Sequence, residues 1–175
     1  KRREFDKAVS KDSDLKEISH QIRFTDELLG LCREIYDELS NQVRREAEEV
    51  LDKEFKRMIW KEDYVASVSI TEGFRVEVFD NREFEILSSL SAGENACLAF
   101  AFALALNRVS GYEMPMVIDT PLGKMSPEVQ IQVAKALADN TKGNKDVPPQ
   151  QVILLMTGTE YNADVKEAMA ERNPR

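Results

Sequence analysis

Two short stretches hold residues whose types and spacing could do chemistry. Leu90-Ser91-Ala92-Gly93-Glu94 stands just before an unbroken apolar run from Ala96 to Leu106. A helix opening there leaves its first N–H groups free and its positive end outward, which suits an anion. Gly93 has no Cβ and lets a phosphate come close to the backbone, and Ser91 adds a hydroxyl. The same residues also fit a capping box, because Ser91-x-x-Glu94 can satisfy two of those N–H groups reciprocally. The second stretch is Met116-Val117-Ile118-Asp119, a short apolar run ending on a carboxylate. Functional groups of parallel sheets gather at the carboxyl ends of strands, and an Asp there can hold Mg²⁺ against a phosphate. The plainer reading is an Asp that caps a turn with Thr120-Pro121. Thr157 ends a further apolar run, Val152-Ile153-Leu154-Leu155.

The elements that must position these residues follow from periodicity. From about Leu15 to Trp60 the pattern predicts one long helix. Leu28, Cys32, Ile35 and Leu39 follow 4-3-4 spacing, and Val43, Ala47, Leu51, Phe55 and Ile59 continue in steps of four. The other faces carry Arg, Lys, Glu and Asp. Such a seam suits a coiled-coil arm that wants a partner helix, or an amphipathic helix lying on a globular core. Tyr64–Ile70, Phe74–Phe79 and Phe84–Leu87 alternate or are β-prone, and the turns at Thr71-Glu72-Gly73 and Asp80-Asn81 make them an antiparallel meander with one open face. Trp60 is expected to pack the end of the long helix onto this meander. The Ala96–Leu106 helix, apolar on all sides, is expected to be buried on all sides, and Gly111 to cap its end. Met116–Ile118 and Val152–Leu155 are expected as buried parallel strands. Ser126-Pro127-Glu128 opens a helix to about Asp139, and a last helix runs from about Asn162 to Glu171. Strand, helix, strand, helix at this spacing is α/β.

Composition bounds the function. The chain has 175 residues, 42% hydrophobic and 32% charged, with a net charge of -8. That is room for one core plus an appendage, and it argues against a generally basic nucleic-acid coat. Cys32 and Cys97 are the only cysteines. They suit a reduced, cytoplasmic setting, and Cys97 is expected in the core. His20 is expected to be solvated. No apolar stretch reaches the ~20 residues that span a bilayer, so no membrane partner is expected. Lys1 is not an initiator Met and the first helix begins abruptly, as in a piece of a longer protein.

Taken together these residues resemble the ABC-type ATPases. Leu90 to Glu94 is similar to their signature motif, and Met116 to Asp119 to their Walker B strand. Gly123, Lys124, Met125 and Ser126, within Pro121–Glu128, occupy the place of the D-loop, and Thr157 that of the switch histidine. The long helix entering a meander before the signature resembles the C-terminal half of an SMC-type head, as in the SMC, SbcC and RecN families. LSAGE followed by IDTPLG is similar to the bacterial defence ATPases DndD and the SMC-like subunit of Lamassu systems. The chain departs from the pattern in three ways. It has no G-x-x-x-x-G-K-[ST]. Thr120 stands where a Glu usually orients the attacking water, and Thr157 replaces the histidine. Ser126 stands where those proteins often have Asp.

The resemblance implies a coiled-coil arm at 1–62 and the C-terminal lobe of an α/β ATPase head at 63–175. It implies ATP and Mg²⁺ as cofactors, with Asp119 as the metal ligand and Asp119, Thr120 and Thr157 as the catalytic set. Leu90, Ser91, Ala92, Gly93 and Glu94 would meet a nucleotide held by another head. The implied partners are the chain's own Walker A half, a second SMC-like head in a homodimer, DNA, and an accessory or nuclease-type effector subunit. The implied function is ATP-driven head closure coupled to DNA binding or sensing in prokaryotic defence or repair, with slow hydrolysis. This chain by itself, without Walker A, would be inactive. The rival is a non-hydrolysing ABC-like head that dimerises or binds a partner protein. The two readings of the Ser91 turn separate experimentally. Ser91→Arg in the full-length protein is expected to leave ATP binding to the monomer intact and to abolish ATP-dependent dimerisation, measured by light scattering. An Arg variant that still dimerises with ATP reduces the turn to a helix cap.

Overall fold

The long apolar seam forms a single helix. In the computed structural model, which describes residues 13–59, 64–112, 114–142, 149 and 151–172, helix α1 runs Ser13–Met58, 46 residues. Trp60 and the expected 62/63 boundary fall outside the described residues. The chain divides into two compact units, Lys1–Gln42 and Val43–Arg175.

In the first unit the seam is solvent-facing: Leu28, Ile35 and Leu39 are exposed, as are Ile18, Ile22 and Phe24. Cys32 is exposed too. Here α1 is a charged helix whose apolar stripe meets no partner among the described residues. His20 is exposed and lies 3.3 Å from the Arg23 guanidinium.

In the second unit the same stripe becomes core. Ala47, Leu51, Phe55, Met58 and Ile59 are buried against Val68, Ile70, Val78, Cys97, Leu104 and Leu137. Each large side chain withdrawn from water contributes about 1.5–3 kcal/mol. Strands β1 (Ser67–Ile70) and β2 (Val76–Phe79) pair antiparallel, Val68 opposite Val78. Val68, Ile70 and Val78 point inward. The third strand of the expected meander reduces to one bridge between Phe79 and Glu85. Glu83, in the left-handed region at φ 63, and a 3-10 turn at Leu87–Ser89 leave no length for a strand.

The free edge of β1 is closed by side chains of α1. The Val68 N–H donates to Asp52 Oδ1 at 2.8 Å and the Ile70 N–H to Glu48 Oε2 at 2.6 Å. Arg44 donates to the Ile70 carbonyl at 2.7 Å. Positions four apart on a helix rise ~6 Å, close to the ~6.6 Å between alternate strand residues. Three helix side chains therefore stand in for a neighbouring strand.

Helix α2 (Ala92–Val109) comes next, with Gly111 just past its end at φ 69. It is not buried on all sides as expected: Leu106 is 47% exposed and Ala99 is exposed. Strand β3 (Met116–Asp119), helix α3 (Pro127–Asn140), strand β4 (Val152–Leu155) and helix α4 (Ala163–Arg172) complete the chain. The β3–β4 pair is parallel, Asp119 opposite Leu155. These strands were expected to be buried on both faces, but only one is covered. Met116, Ile118 and Leu154 pack on the core, whereas Val117, Ile153 and Leu155 are 61%, 41% and 53% exposed. Helices cover one face of this pair among the described residues, and nothing described lies on the other.

Three helices meet on one buried carboxylate. Glu54, 1% exposed, faces Arg108 of α2 at 3.3 Å and Arg57 at 3.5 Å, and accepts from the Asn140 amide at 3.3 Å. Arg57 also pairs with Asp139, and Arg108 with Asn140.

The β1 edge yields a stability prediction. The double change Glu48→Ala and Asp52→Ala leaves two part-buried N–H groups without protein acceptors, each worth about 1–3 kcal/mol when unmet. Urea unfolding is expected to show a loss of about 2–6 kcal/mol. A loss under about 0.5 kcal/mol, the scale of ordinary surface changes, would mean that water replaces these carboxylates without cost.

Candidate functional site

Asp119 and Thr157 come together because parallel register puts the carboxyl ends of β3 and β4 side by side. The Thr120 N–H donates to the Leu155 carbonyl at 2.8 Å and carries the ladder one step further. The chain then turns away sharply. Thr120 takes φ 46, in the left-handed region, where a β-branched residue is strained by about 1–3 kcal/mol. The turn buries Pro121 and Leu122 and leaves Asp119 and Thr120 exposed. Asp119, Thr120, Leu154, Leu155, Met156 and Thr157 line an open depression of about 400 Å³.

The loop from Pro121 to Ser126 is held from behind. Leu122 and Met125 are buried. The Gln130 side-chain amide of α3 donates to the Leu122 carbonyl at 3.1 Å and to that of Met125 at 3.4 Å, and Asn162 donates to Gln130 at 3.3 Å. Gly123 and Lys124 are exposed. Ser126 stands at the N-cap of α3 with Pro127 in the first turn, as expected. The Glu128 backbone N–H, and after it the Ser126 hydroxyl, hold the Glu128 carboxyl below the usual range.

Glu160 is the residue that sequence reasoning missed. It is 2% exposed. Its Oε1 accepts the Leu122 N–H at 2.8 Å, and its Oε2 accepts the Thr157 N–H at 2.9 Å and the Thr157 hydroxyl at 2.8 Å. The Gly123 N–H is a further donor. Burial is the largest influence on this carboxyl and opposes ionisation, but the donors from Thr157, Leu122 and Gly123 together outweigh it and hold the group below its usual range. One carboxylate thus joins the loop after β3 to the loop after β4. The T-x-x-E spacing of Thr157 and Glu160 is the signal that could have found it.

The Ser91 turn forms the full capping box. Ser91 Oγ accepts from the Glu94 N–H at 3.3 Å, and Glu94 Oε2 accepts from the Ser91 N–H at 2.7 Å. Asn95 ties the turn to the Leu90 and Ser91 carbonyls. Leu90 is buried, and Ser91 and Ala92 are exposed. A Cβ at Gly93 would lie 3.5 Å from the Lys124 carbonyl oxygen, ordinary contact, so packing within this chain does not demand glycine there. Burial, then the nearby Glu94, pushes the Cys97 thiol up to about 12, which makes it an inert core residue.

The donor set can be tested against a metal. Among the described residues there is no group of three His, Cys, Asp or Glu able to hold an ion. Mg²⁺ is commonly held by one or two carboxylates with phosphate oxygens and waters completing the shell. Asp119 as a single exposed carboxylate beside an open depression fits that mode, and does not fit a metal held by protein alone. No helix among the described residues is long and apolar enough to cross a membrane.

No family model and no curated protein matches the chain. Among solved structures it is similar to the SMC head domain from Thermotoga maritima, at 18% identity and a TM-score of 0.49. The match covers 74% of this chain and 44% of that one.

Glu160 sets a pH dependence. Its folded-state pKa lies below the ordinary value near 4.5, so its stabilisation is fully present above that value and is lost as pH falls through the lower, folded-state one. Glu160→Gln offers one acceptor oxygen where the carboxylate has two, and turns an N–H₂ towards donors. The variant is expected to be less stable than the parent by about 1–3 kcal/mol near neutral pH, with the gap narrowing in acid. Urea midpoints across pH check this. A gap independent of pH would show that the carboxylate charge is not what the loops depend on.

Proposed function

We propose that this chain is the lobe of an SMC-like ATPase head that carries the signature turn and the Walker B carboxylate. The observation that supports this best is the convergence of Asp119 and Thr157 at the carboxyl ends of two paired parallel strands, around one open depression. The uncovered β3–β4 face, with Val117, Ile153 and Leu155, and the exposed Leu106 of α2 favour a further segment that completes the sheet. A Walker A half of the same protein is the proposed occupant.

In this reading Asp119 contributes one ligand to Mg²⁺, which when bound neutralises phosphate charge. Thr120 and Thr157 border the place where a terminal phosphate and a water would lie. Leu90 to Glu94 present an exposed helix start to the nucleotide of a second head. There Glu94 serves as the cap that keeps the turn in shape, and Gly93 leaves room for a phosphate. Gly123 to Ser126 lie against that turn within the same chain through Lys124 and Met125, so head closure would be felt by the loop after β3. The exposed stripe of α1 would take the other helix of a coiled-coil arm, and closure would pull on that arm to grip DNA or signal to an effector subunit. The setting proposed is prokaryotic defence or repair.

Among the described residues Asp119 is the one carboxylate lining the depression, and a threonine hydroxyl cannot take a proton from water at neutral pH. Positioning and charge neutralisation can still speed phosphoryl transfer. Turnover is therefore expected below the ~1–100 s⁻¹ typical of kinases. A phosphate-release assay on the full-length protein with DNA and Mg²⁺ tests the reading. Asp119→Ala is expected to lose about 100-fold or more in turnover, or Mg²⁺-dependent binding altogether. Thr120→Glu is expected to raise the basal rate and Thr120→Val to lower it. ATP-driven dimerisation with no phosphate release would support instead a non-hydrolysing head. Thr120 variants at the parent rate would move the working acid to Glu94 or to a residue of the Walker A half.

A further inference from the structure

The hydrogen-bond network behind the depression decides which way the Thr157 hydroxyl faces. Its Oγ1 lies 2.8 Å from Glu160 Oε2 and 3.0 Å from Thr159 Oγ1. Glu160 is buried, and donors meet both of its oxygens: the Leu122 N–H at Oε1 and the Thr157 N–H at Oε2. A carboxylate in that setting stays ionised, and an ionised carboxylate only accepts. The hydrogen in the 2.8 Å contact therefore belongs to Thr157. A hydroxyl has one hydrogen, so the 3.0 Å contact is donated by Thr159. Thr157 lines the depression with its donor already committed, and after the Thr159 contact one Oγ1 lone pair is left to accept. A phosphate oxygen is itself an acceptor and would meet that lone pair unfavourably. A water molecule can donate to it and keep its own lone pair for attack.

We infer that Glu160 is a positioning residue that fixes the Thr157 hydroxyl as an acceptor, so that Thr157 holds a water in the depression and does not bind a phosphate oxygen. This rests on the ATPase reading above and assigns a task within that site. It also separates Thr157 from a cationic or N–H donor at that position, which would grip the phosphate. Because Glu160 holds the Leu122 and Gly123 N–H groups as well, a shift of the 121–126 loop would move the water-holding hydroxyl.

The test uses the full-length protein with Mg²⁺-ATP and DNA, measuring kcat, KM and the Kd of ATP in the parent and in Thr157→Val, Thr157→Ser and Glu160→Gln. Thr157→Val removes one hydroxyl and leaves the Leu122 and Gly123 bonds, so it serves should Glu160→Gln fold poorly. Loss of the water contact is expected to lower kcat about tenfold, with Kd for ATP within about twofold of the parent. Thr157→Ser is expected to restore most of the rate. Glu160→Gln, whose amide can donate to Thr157 and turn its hydrogen outward, is expected to follow Thr157→Val. Weaker ATP binding with unchanged kcat in Thr157→Val would make the hydroxyl a phosphate contact and overturn the inference. So would unchanged kinetics in both Thr157→Val and Glu160→Gln. A parent protein that binds ATP without hydrolysing it also overturns it, since there is then no attacking water to hold. A parent that binds no ATP overturns the functional reading first, and this inference with it.

Discussion

A carboxylate taken out of water must be met by donors on both oxygens, and two such groups tie the second unit of this chain together. Glu54 joins α1 to α2 and α3 through Arg108 and Asn140. Glu160 joins the loop after β3 to the loop after β4. An unpaired buried charge would cost several kcal/mol, so neither can move unless its donors move with it. Glu54 fixes how three helices meet, and Glu160 fixes the 121–126 loop and the chain just past β4.

The same constraint governs the edge of the small antiparallel pair. A strand edge left open invites pairing with another chain. Here Glu48 and Asp52 of α1 accept the N–H groups of Ile70 and Val68, and the near-equal repeats of helix and strand make the match possible. The helix thus serves two roles along its length, an exposed apolar stripe up to Leu39 and a buried one from Ala47. The opposite treatment of β3 and β4, one face packed and one open, is a difference of partners and not of composition.

The chemistry available at the depression follows from what each oxygen can still do. Asp119 offers an exposed carboxylate, Thr120 a hydroxyl on a strained backbone, and Thr157 a hydroxyl whose hydrogen is spoken for. In the proposed reading such a set would hold a cation and orient a water more readily than it would abstract a proton. At the Ser91 turn the capping box and an anion site are compatible: the box consumes the Ser91 and Glu94 N–H groups, and the Ser91 hydroxyl keeps its own hydrogen to donate.

Much of this was legible in the order of residues. The seam from Leu28 to Ile59 predicts α1, Ser91-x-x-Glu94 the capping box of α2, Ser126-Pro127 the start of α3, and Gly111 the end of α2, because these depend on local spacing and on backbone geometry. The strand–helix–strand order also made parallel pairing, and so Asp119 and Thr157 at neighbouring strand ends, the expected arrangement. The sequence could not show that Val117, Ile153, Leu155 and Leu106 face outward, since an apolar side chain reads alike whether covered or not. Glu54 sits on the apolar face between Leu51 and Met58, and Thr157-x-x-Glu160 has cap spacing, yet neither pattern names donors 86 or 38 residues away in the chain. Local periodicity decided which elements form. Only the tertiary structure decided which carboxylates are buried and what they hold, because that depends on groups far apart in the chain meeting within hydrogen-bond reach.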